Sequence, residues 1–149
     1  ITYRAGNAGV NTLVKDSPPE AVCSMLSEIS ATVIVVQRQP TSTELRSISS
    51  SLGRKAFDFS DVNENLEDAL ALMGLLDDYI GVSNTNMHLR AAAGRSARVL
   101  VTHPGEFRWQ VFGRTSPWFP EFILYRQGID SSWERSFTKL KIDLKEKYE

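Results

Sequence analysis

The stretch that decides the fold is residues 79–103, YIGVSNTNMHLRAAAGRSARVLVTH. It opens with an apolar run at 79–82 and continues into four small polar residues at 83–86. Small polar residues are favoured at the start of a helix, because their side chains accept hydrogen bonds from the unpaired amides of the first turn. A short helix is predicted to end at Gly94, and a second apolar run follows at 97–101. The order predicted is therefore strand, polar turn, helix, strand.

The polar turn is the candidate binding site in this stretch. When a parallel strand leads into a helix, the first-turn amides and the positive end of the helix dipole face the carboxyl edge of the sheet. The turn is therefore predicted to hold an anion, in particular a diphosphate. His88 lies four residues after Asn84, so the two share a helix face. A single helical histidine is often structural, and both a structural and a ligand-binding role are open for His88.

Size and composition predict one globular domain. The chain has 149 residues, of which 42% are hydrophobic and 23% are charged. Every apolar run is far shorter than the ~20 residues that span a membrane, so no membrane span is expected. The single cysteine, Cys23, rules out an intramolecular disulfide and is expected to be a buried thiol, which fits a reducing cytoplasm. The start at Ile1, without an initiating Met, suggests a fragment of a longer chain.

The charges are distributed unevenly. The net charge of −1 argues against non-specific nucleic-acid binding. Residues 84–127, however, contain six arginines and only two acidic residues, Glu106 and Glu121. Arg90 and Arg98 are expected to be solvated surface charges. This excess of positive charge around the polar turn is consistent with an anionic ligand.

Apolar runs alternate with amphipathic segments along the chain. The runs predict six strands, at 1–5, 32–36, 55–59, 79–82, 97–101 and 122–125. Besides the helix before Gly94, the amphipathic segments predict helices at 16–29, 42–52, 66–76 and 131–145.

Such alternation is typical of a mostly parallel sheet with helices on both faces, a three-layer, doubly wound, Rossmann-like α/β domain. With the strand order 3-2-1-4-5-6, the loops that follow Arg4 and residue 82 lie side by side at the carboxyl edge, where ligands bind. The first of these loops is rich in glycine and asparagine, residues 6–11. A long loop at 102–120, crowded with aromatic residues, prolines and arginines, is predicted to be functional or a lid.

Several well-known chemistries lose support because their motifs are missing. The first strand leads into GNAG at residues 6–9 and not into a G-x-G-x-x-G fingerprint. The sequence contains no Walker A, H-E-x-x-H or G-x-S-x-G motif, and neither His88 nor His103 has a cluster of carboxylates or cysteines beside it. NAD, P-loop, zinc and serine-hydrolase chemistries are disfavoured, and a non-glycosyl α/β enzyme is a weaker hypothesis for the same reason.

Several motifs carry a resemblance to a known family. They are the stretch 82–94 with its following strand and the short motifs FRW at 107–109, SPWFP at 116–120 and LYRQ at 124–127. Upstream, RAG at 4–6, KDSP at 15–18 and VVQ at 35–37 fall where the family has similar segments. The chain thereby resembles the C-terminal end of family 9, heptosyltransferase-like glycosyltransferases, closest to bacterial versions fused to tetratricopeptide repeats. Similar C-terminal halves occur in the O-linked N-acetylglucosamine transferases.

The resemblance implies half of a GT-B glycosyltransferase, in which two Rossmann-like domains enclose the active site. Residues 1–149 would be the single domain that binds the nucleotide-sugar donor, with no metal or other cofactor. The partner implied is a missing N-terminal Rossmann-like domain, which should supply the catalytic base, with tetratricopeptide repeats as a further candidate partner. The isolated domain is expected to be inactive.

The resemblance also assigns residues. His88 falls on the family's histidine and would stabilise the leaving nucleoside diphosphate. The other residues carried over by position, or expected to help at the diphosphate, share a donor-binding role: Arg4, Gln37, Asp58, Asp61, Ser83, Asn84, Thr85, Asn86 and Arg108, with Asn65 near the base or ribose.

One departure from the family keeps a second hypothesis open. The family usually has Asp-Thr five and four residues before its histidine, whereas this chain has Ser83 and Asn84. The loss of that carboxylate leaves the helix amides able to hold phosphate but removes one polar contact to the donor. The alternative is therefore a non-catalytic, degenerate transferase-like domain that acts as a binding or interaction module.

Overall fold

The computed structural model describes residues 1–5 and 13–149. The predicted loop at 6–11 lies outside the described residues. The strands are β1 (Arg4–Ala5), β2 (Lys15–Asp16), β3 (Ile34–Val35), β4 (Phe57–Asp58), β5 (Ile80–Val82), β6 (Arg98–Val101) and β7 (Ile123–Arg126). The α-helices are α1 (Pro19–Leu26), α2 (Ser42–Leu52), α3 (Leu66–Leu75), α4 (Thr85–Ala92) and α5 (Glu134–Tyr148), and 3₁₀ helices cover Ser60–Glu64 and Phe107–Trp109.

The strands form short sheets. β5, β6 and β7 form a three-stranded parallel sheet, in which Val99 lies opposite both Gly81 and Leu124. β3 and β4 form a two-stranded parallel sheet. β1 and β2 form an antiparallel hairpin, which the sequence pattern did not predict.

The first residues of the chain lie between the two parallel sheets. On one side, the backbone nitrogen of Ile1 donates to Ile34 O (2.5 Å) and the amide of Val36 donates to Ile1 O (3.0 Å). On the other side, the amide of Thr2 donates to Ile80 O (3.1 Å). These hydrogen bonds run in the predicted strand order, but the ladders are too short to make one continuous six-stranded sheet. The architecture is mixed α/β with short parallel sheets, compatible with a Rossmann-like fold.

Two hydrophobic clusters pack on opposite faces of the strands. One contains Val22 of α1, Ile48 of α2 and Leu140 of α5, and the other contains Met73 of α3 and Met87 of α4. Adjacent strand residues alternate between the clusters, since successive side chains of a strand point to opposite faces. The strands therefore lie between two layers of helices. Cys23 belongs to the first cluster and is fully buried, as predicted.

Capping residues in the sequence predicted some helix boundaries correctly. α2 has the predicted bounds because Thr41 and Glu44 form a capping box, in which each side chain accepts a hydrogen bond from the other residue's amide. Gly53 ends α2 in the left-handed conformation, with φ of 69°. α3 begins as predicted, after Asn65, whose side chain accepts hydrogen bonds from two first-turn amides.

Other boundaries differ from the prediction. α1 begins at Pro19 without a side-chain cap, because Asp16 is paired in the β1–β2 hairpin instead of starting the helix. α1 ends at Leu26, where Arg54 donates to the carbonyl oxygens of Leu26 (3.0 Å) and Ile29 (2.7 Å). α5 begins at Glu134 and not at residue 131.

The prediction that Arg90 and Arg98 are solvated is wrong. Arg90 is 1% exposed, and its guanidinium donates to backbone carbonyl oxygens that include Leu76 O (2.8 Å). Arg98 is buried between Asp78 Oδ2 (2.8 Å) and the hydroxyl of Tyr125 (2.8 Å). Both charges are compensated inside the protein, so they add little to the field at the surface. Within the described ranges, no helix is both long and apolar enough to cross a membrane.

Candidate functional site

A cavity of about 300 Å³ lies at the carboxyl edge, where residues 1–5, β3 and β5 end. At this point the strand order reverses, because β3 and β4 lie on one side of residues 1–5 and β5, β6 and β7 lie on the other. In open α/β sheets ligands bind at such a point. Five of the residues predicted to bind the donor line this cavity: Arg4, Gln37, Asn84, Thr85 and Asn86.

The walls of the cavity differ in character. Arg4 and Arg38 contribute positive charge, and none of the described residues that line the cavity is acidic. Leu66 and Ala69 of α3 and Leu89 of α4 form an apolar wall. An amphipathic anion with a flat or apolar part fits such a combination.

Two larger hollows lie elsewhere. One, of about 490 Å³, is at the opposite, amino edge of the strands and is mainly apolar. The other, of about 800 Å³, is an open groove between β7 and α5. Neither contains a residue that the sequence predicts to bind the donor, so size alone does not identify the site.

Asn84 occupies the N-cap position of α4 but does not cap it with its side chain. Its Nδ2 donates instead to Thr2 Oγ1 (2.8 Å), which also shares a hydrogen bond with the hydroxyl of Tyr79 (2.7 Å). Burial raises the pKa of Tyr79, so its hydroxyl stays protonated. Asn84 Oδ1 is buried and has no hydrogen-bond partner within residues 1–5 and 13–149. The first-turn amides of α4 therefore have no side-chain cap. They lie beside Asn84 Oδ1, an acceptor without a hydrogen bond among the described residues.

The close approach of Thr2 to β5 depends on a glycine. A Cβ atom at Gly81 would lie 2.2 Å from Thr2 Oγ1, which is closer than atoms can pack. Gly81 therefore lets the first residues of the chain reach the start of α4 and form one wall of the cavity.

Two other predicted residues are bound to internal partners. Gln37 is buried, and its Oε1 accepts hydrogen bonds from the amides of Tyr3 and Arg4, both at 3.0 Å. The guanidinium of Arg4 contacts Glu44 (3.2 Å) and Gln39 O (2.8 Å). The hydrogen bond that Arg4 donates to the Glu44 carboxylate raises the pKa of Arg4, so Arg4 keeps its charge at the cavity wall. Gln37 shapes the cavity by fixing the end of the first strand.

Ser83 lies next to Asn84 but belongs to a different cluster. Its hydroxyl donates to the carboxylate of Glu106, which also contacts Lys15 Nζ (3.0 Å) and Arg108 (3.6 Å). Burial of Glu106 is outweighed by the hydrogen bonds from Ser83 and Lys15, which lower its pKa. The space at this Ser83–Glu106 cluster (Lys15, Ser83, Glu106 and Arg108) is only about 10 Å³. Ser83 and Arg108 therefore do not line the cavity.

The remaining predicted residues also lie outside the cavity wall. His88 is exposed, and its ring meets the ring of Phe119 edge-on, with centroids 5.5 Å apart. Asp58 accepts a hydrogen bond from the amide two residues further on, Asp61 is exposed on the 3₁₀ helix, and Asn65 caps α3. Ligand contact by these residues stays a prediction.

The sequence reasoning missed Asn63, Arg38 and Thr2 as cavity residues. Asn63 donates from Nδ2 to Val36 O (3.0 Å), the same carbonyl that accepts from Nδ2 of Asn86 (3.2 Å). A signal was present for Arg38, because it lies two residues after the predicted buried strand 32–36, at the carboxyl edge. Asn63 offered no local signal, since its place depends on a contact across 27 residues.

Metal ligation and similarity to known proteins give no further guide. Within the described ranges, no three histidine, cysteine or acidic residues are grouped so that they could hold a metal ion. Comparisons with protein-family models, with characterised proteins and with solved structures found no match to this chain. The functional interpretation therefore depends on the cavity and on the sequence motifs.

Proposed function

We propose that this chain is the donor-binding domain of a metal-independent GT-B glycosyltransferase and binds a nucleotide sugar at the carboxyl edge. One observation carries this proposal. The cavity at the strand ends brings together five of the predicted donor-binding residues, Arg4 among them, with a second arginine, Arg38, and the uncapped start of α4.

The charges support an anionic ligand. Arg38 lines the cavity with an exposed side chain, and its nearest acidic partner, Glu64, is 3.9 Å away. Such an exposed pair contributes little, so Arg38 is available for a phosphate. Arg4 and the amide dipoles of α4 add fixed positive charge, which would stabilise the negative charge that grows on a leaving nucleoside diphosphate.

The proposal includes a larger assembly. A GT-B enzyme has a second Rossmann-like domain across the cleft, and that domain would supply the acceptor site and the catalytic base. Strands β3, β4, β5, β6 and β7, with residues 1–5, would correspond to the six strands expected for this half. His88 would contact the part of the donor that extends beyond the cavity toward the second domain.

Isothermal titration calorimetry with nucleoside diphosphates and nucleotide sugars tests the proposal. We expect binding at micromolar to millimolar concentration, and about tenfold weaker binding for Arg38→Ala, because a charge-assisted contact to phosphate is lost. Arg46→Ala is the matched control: Arg46 is exposed on α2 outside the cavity wall, and its loss should leave the affinity unchanged. The absence of binding at millimolar ligand, with a folded circular-dichroism spectrum, would refute the donor site.

The non-catalytic alternative has one observation in its favour. Ser83, which stands where the family usually has an acidic residue, is bound to Glu106 and faces away from the cavity. A protein of this kind would bind the nucleotide but not transfer the sugar. Sugar-transfer and donor-hydrolysis assays on the full-length protein separate the two functions, since turnover of a donor that binds would exclude the non-catalytic alternative.

A further inference from the structure

Asn63 and Asn86 approach the cavity from different elements and meet at one backbone carbonyl. Asn63 lies on the 3₁₀ helix Ser60–Glu64, and Asn86 lies in the first turn of α4. The Nδ2 atoms of both residues donate to Val36 O, at 3.0 Å and 3.2 Å, and Asn63 Nδ2 also donates to Ser60 O (2.8 Å). Both residues line the cavity.

These hydrogen bonds identify the nitrogen and the oxygen atom of each side-chain amide. A backbone carbonyl oxygen can only accept, so the atom that faces it must be the NH₂ group and not the amide oxygen. The oxygen of each side chain is then the atom left over. Among the described residues, no donor hydrogen-bonds to Asn63 Oδ1 or Asn86 Oδ1 in the folded chain, and Asn84 Oδ1 is likewise without a partner.

Oxygens of this kind select for the polarity of a ligand. An amide oxygen can accept a hydrogen bond but cannot donate one, so an amide oxygen that is covered by another acceptor loses its hydrogen bonds to water without replacement. A ligand amino group, which is an obligate donor with two hydrogens, satisfies such oxygens. A ligand carbonyl at the same place repels both oxygens, and the ring N–H beside such a carbonyl has a single hydrogen, so at most one of the two oxygens is paired.

We infer that Asn63 and Asn86 are specificity-determining residues that select a nucleotide whose base carries an exocyclic amino group. The base lies against the apolar wall of Leu66, Ala69 and Leu89, with its amino group toward the two asparagine oxygens. The arginine side of the cavity takes the diphosphate. This inference rests on the proposed function, because it names the base of the nucleotide that the cavity binds.

Two pairs of commercial nucleotides test the inference on the intact chain. CDP and UDP differ in an amino group against a carbonyl on rings of the same size, and the ring nitrogen beside that group is a bare acceptor in CDP and an N–H donor in UDP. ADP and IDP make the same exchange on a purine. We expect the amino member of at least one pair to bind about tenfold more tightly, in line with the loss of binding when a polar site is left unpaired. Equal affinity within both pairs, or tighter binding of UDP and IDP, overturns the inference while the proposed function stands. If none of the four binds at millimolar concentration, the proposed function fails and the inference with it.

A substitution tests whether Asn63 causes the preference for the nucleotide with the amino group. Asn63→Leu keeps the size of the side chain and removes its acceptor, so the preference within the pair should fall several-fold. Glu67→Leu is the matched control, since Glu67 is exposed on the first turn of α3 outside the cavity wall and the preference should be unchanged. A preference that survives Asn63→Leu in full overturns the role of Asn63. If Asn63→Leu does not fold, the comparison of nucleotides on the unaltered chain still decides whether the preference exists.

Discussion

Ser83 and Asn84 are neighbours in the chain, yet they belong to opposite kinds of environment. Ser83 enters a tightly packed cluster in which the carboxylate of Glu106 is satisfied by Ser83 and Lys15. Asn84 enters the wall of an open cavity, where its Oδ1 has no partner among the residues described. Satisfied groups in a closed space stabilise a fold, whereas polar residues along an open cavity are suited to a ligand. We therefore expect substitutions around Ser83 to lower the stability of the fold and substitutions around Asn84 to lower the affinity for a ligand.

The largest effect is expected from Glu106→Leu. The substitution leaves Lys15 Nζ and the hydroxyl of Ser83 in a partly buried place without their carboxylate. The free energy of unfolding, measured by urea denaturation, should fall by about 2–3 kcal/mol. The affinity for nucleoside diphosphates should change less than about twofold. A stable variant that binds nucleotide poorly would place the binding site at the Ser83–Glu106 cluster and reverse the comparison.

A tenfold effect on binding is expected from Asn84→Ala. Removal of the amide ends the hydrogen bond to Thr2 Oγ1, which holds one wall of the cavity against the start of α4, and should weaken nucleotide binding by about 1.4 kcal/mol. Ser83→Ala is the matched control in the neighbouring residue: it should cost about 1 kcal/mol of unfolding free energy through the lost hydrogen bond to Glu106, with unchanged affinity. Calorimetry and urea denaturation on both variants test whether Asn84 contributes to binding and Ser83 to stability. Equal losses of affinity in the two variants would contradict this assignment.

The Ser83–Glu106 cluster should also contribute to acid sensitivity. The pKa of Glu106 is lowered in the folded protein, so the unfolded chain binds the proton more readily. The contribution of Glu106 to stability is therefore present above the ordinary carboxyl pKa of about 4.5 and is lost as the pH falls below it. The difference in unfolding free energy between the unaltered protein and Glu106→Gln should shrink on acidification, by less than about 1 kcal/mol. A difference that grows toward low pH would mean that the cluster does not favour the ionised carboxylate.

The smallest effect is expected from His88→Ala. His88 is exposed against Phe119 and does not line the cavity, so the affinity for a nucleoside diphosphate should change less than about twofold. A role at the leaving group would instead become visible as slower sugar transfer in the full-length protein. A large loss of nucleotide affinity would show that the binding site extends to the exposed side of α4.

How much could be predicted from the sequence depends on the range of the interactions involved. The strand–turn–helix–strand order around residue 83 and the bounds of α2 followed from local patterns, namely apolar runs, a capping box and Gly53. The end of the first strand at Arg4 and the polar turn at residues 84–86 were predictable because carboxyl ends of parallel strands meet at one edge, whereas Gln37 was predicted from the family resemblance. Asn63 and the partners of Ser83 were not predictable, since the hydrogen bonds that hold them join residues 23 to 27 positions apart.

The burial of charged side chains was the second feature that the sequence did not predict. Arg90 and Arg98 are of a residue type that is mostly exposed, so the sequence favoured solvated side chains. Each is buried because backbone carbonyl oxygens or Asp78 and Tyr125, brought close only by folding, satisfy the guanidinium. The local positive excess of residues 84–127 therefore overstates the charge that a ligand meets.

By itself, the sequence determined the alternation of helices and strands and the polar turn at residues 83–86, because backbone propensities and side-chain periodicity act over a few residues. Only the tertiary structure decided that Ser83 and Asn84 face different environments. Successive side chains at the end of a strand point to opposite sides, and what lies on each side is set by distant segments, Glu106 for one and Thr2 for the other. The polar turn is thus divided between a residue that holds the fold together and a residue that lines the candidate binding site.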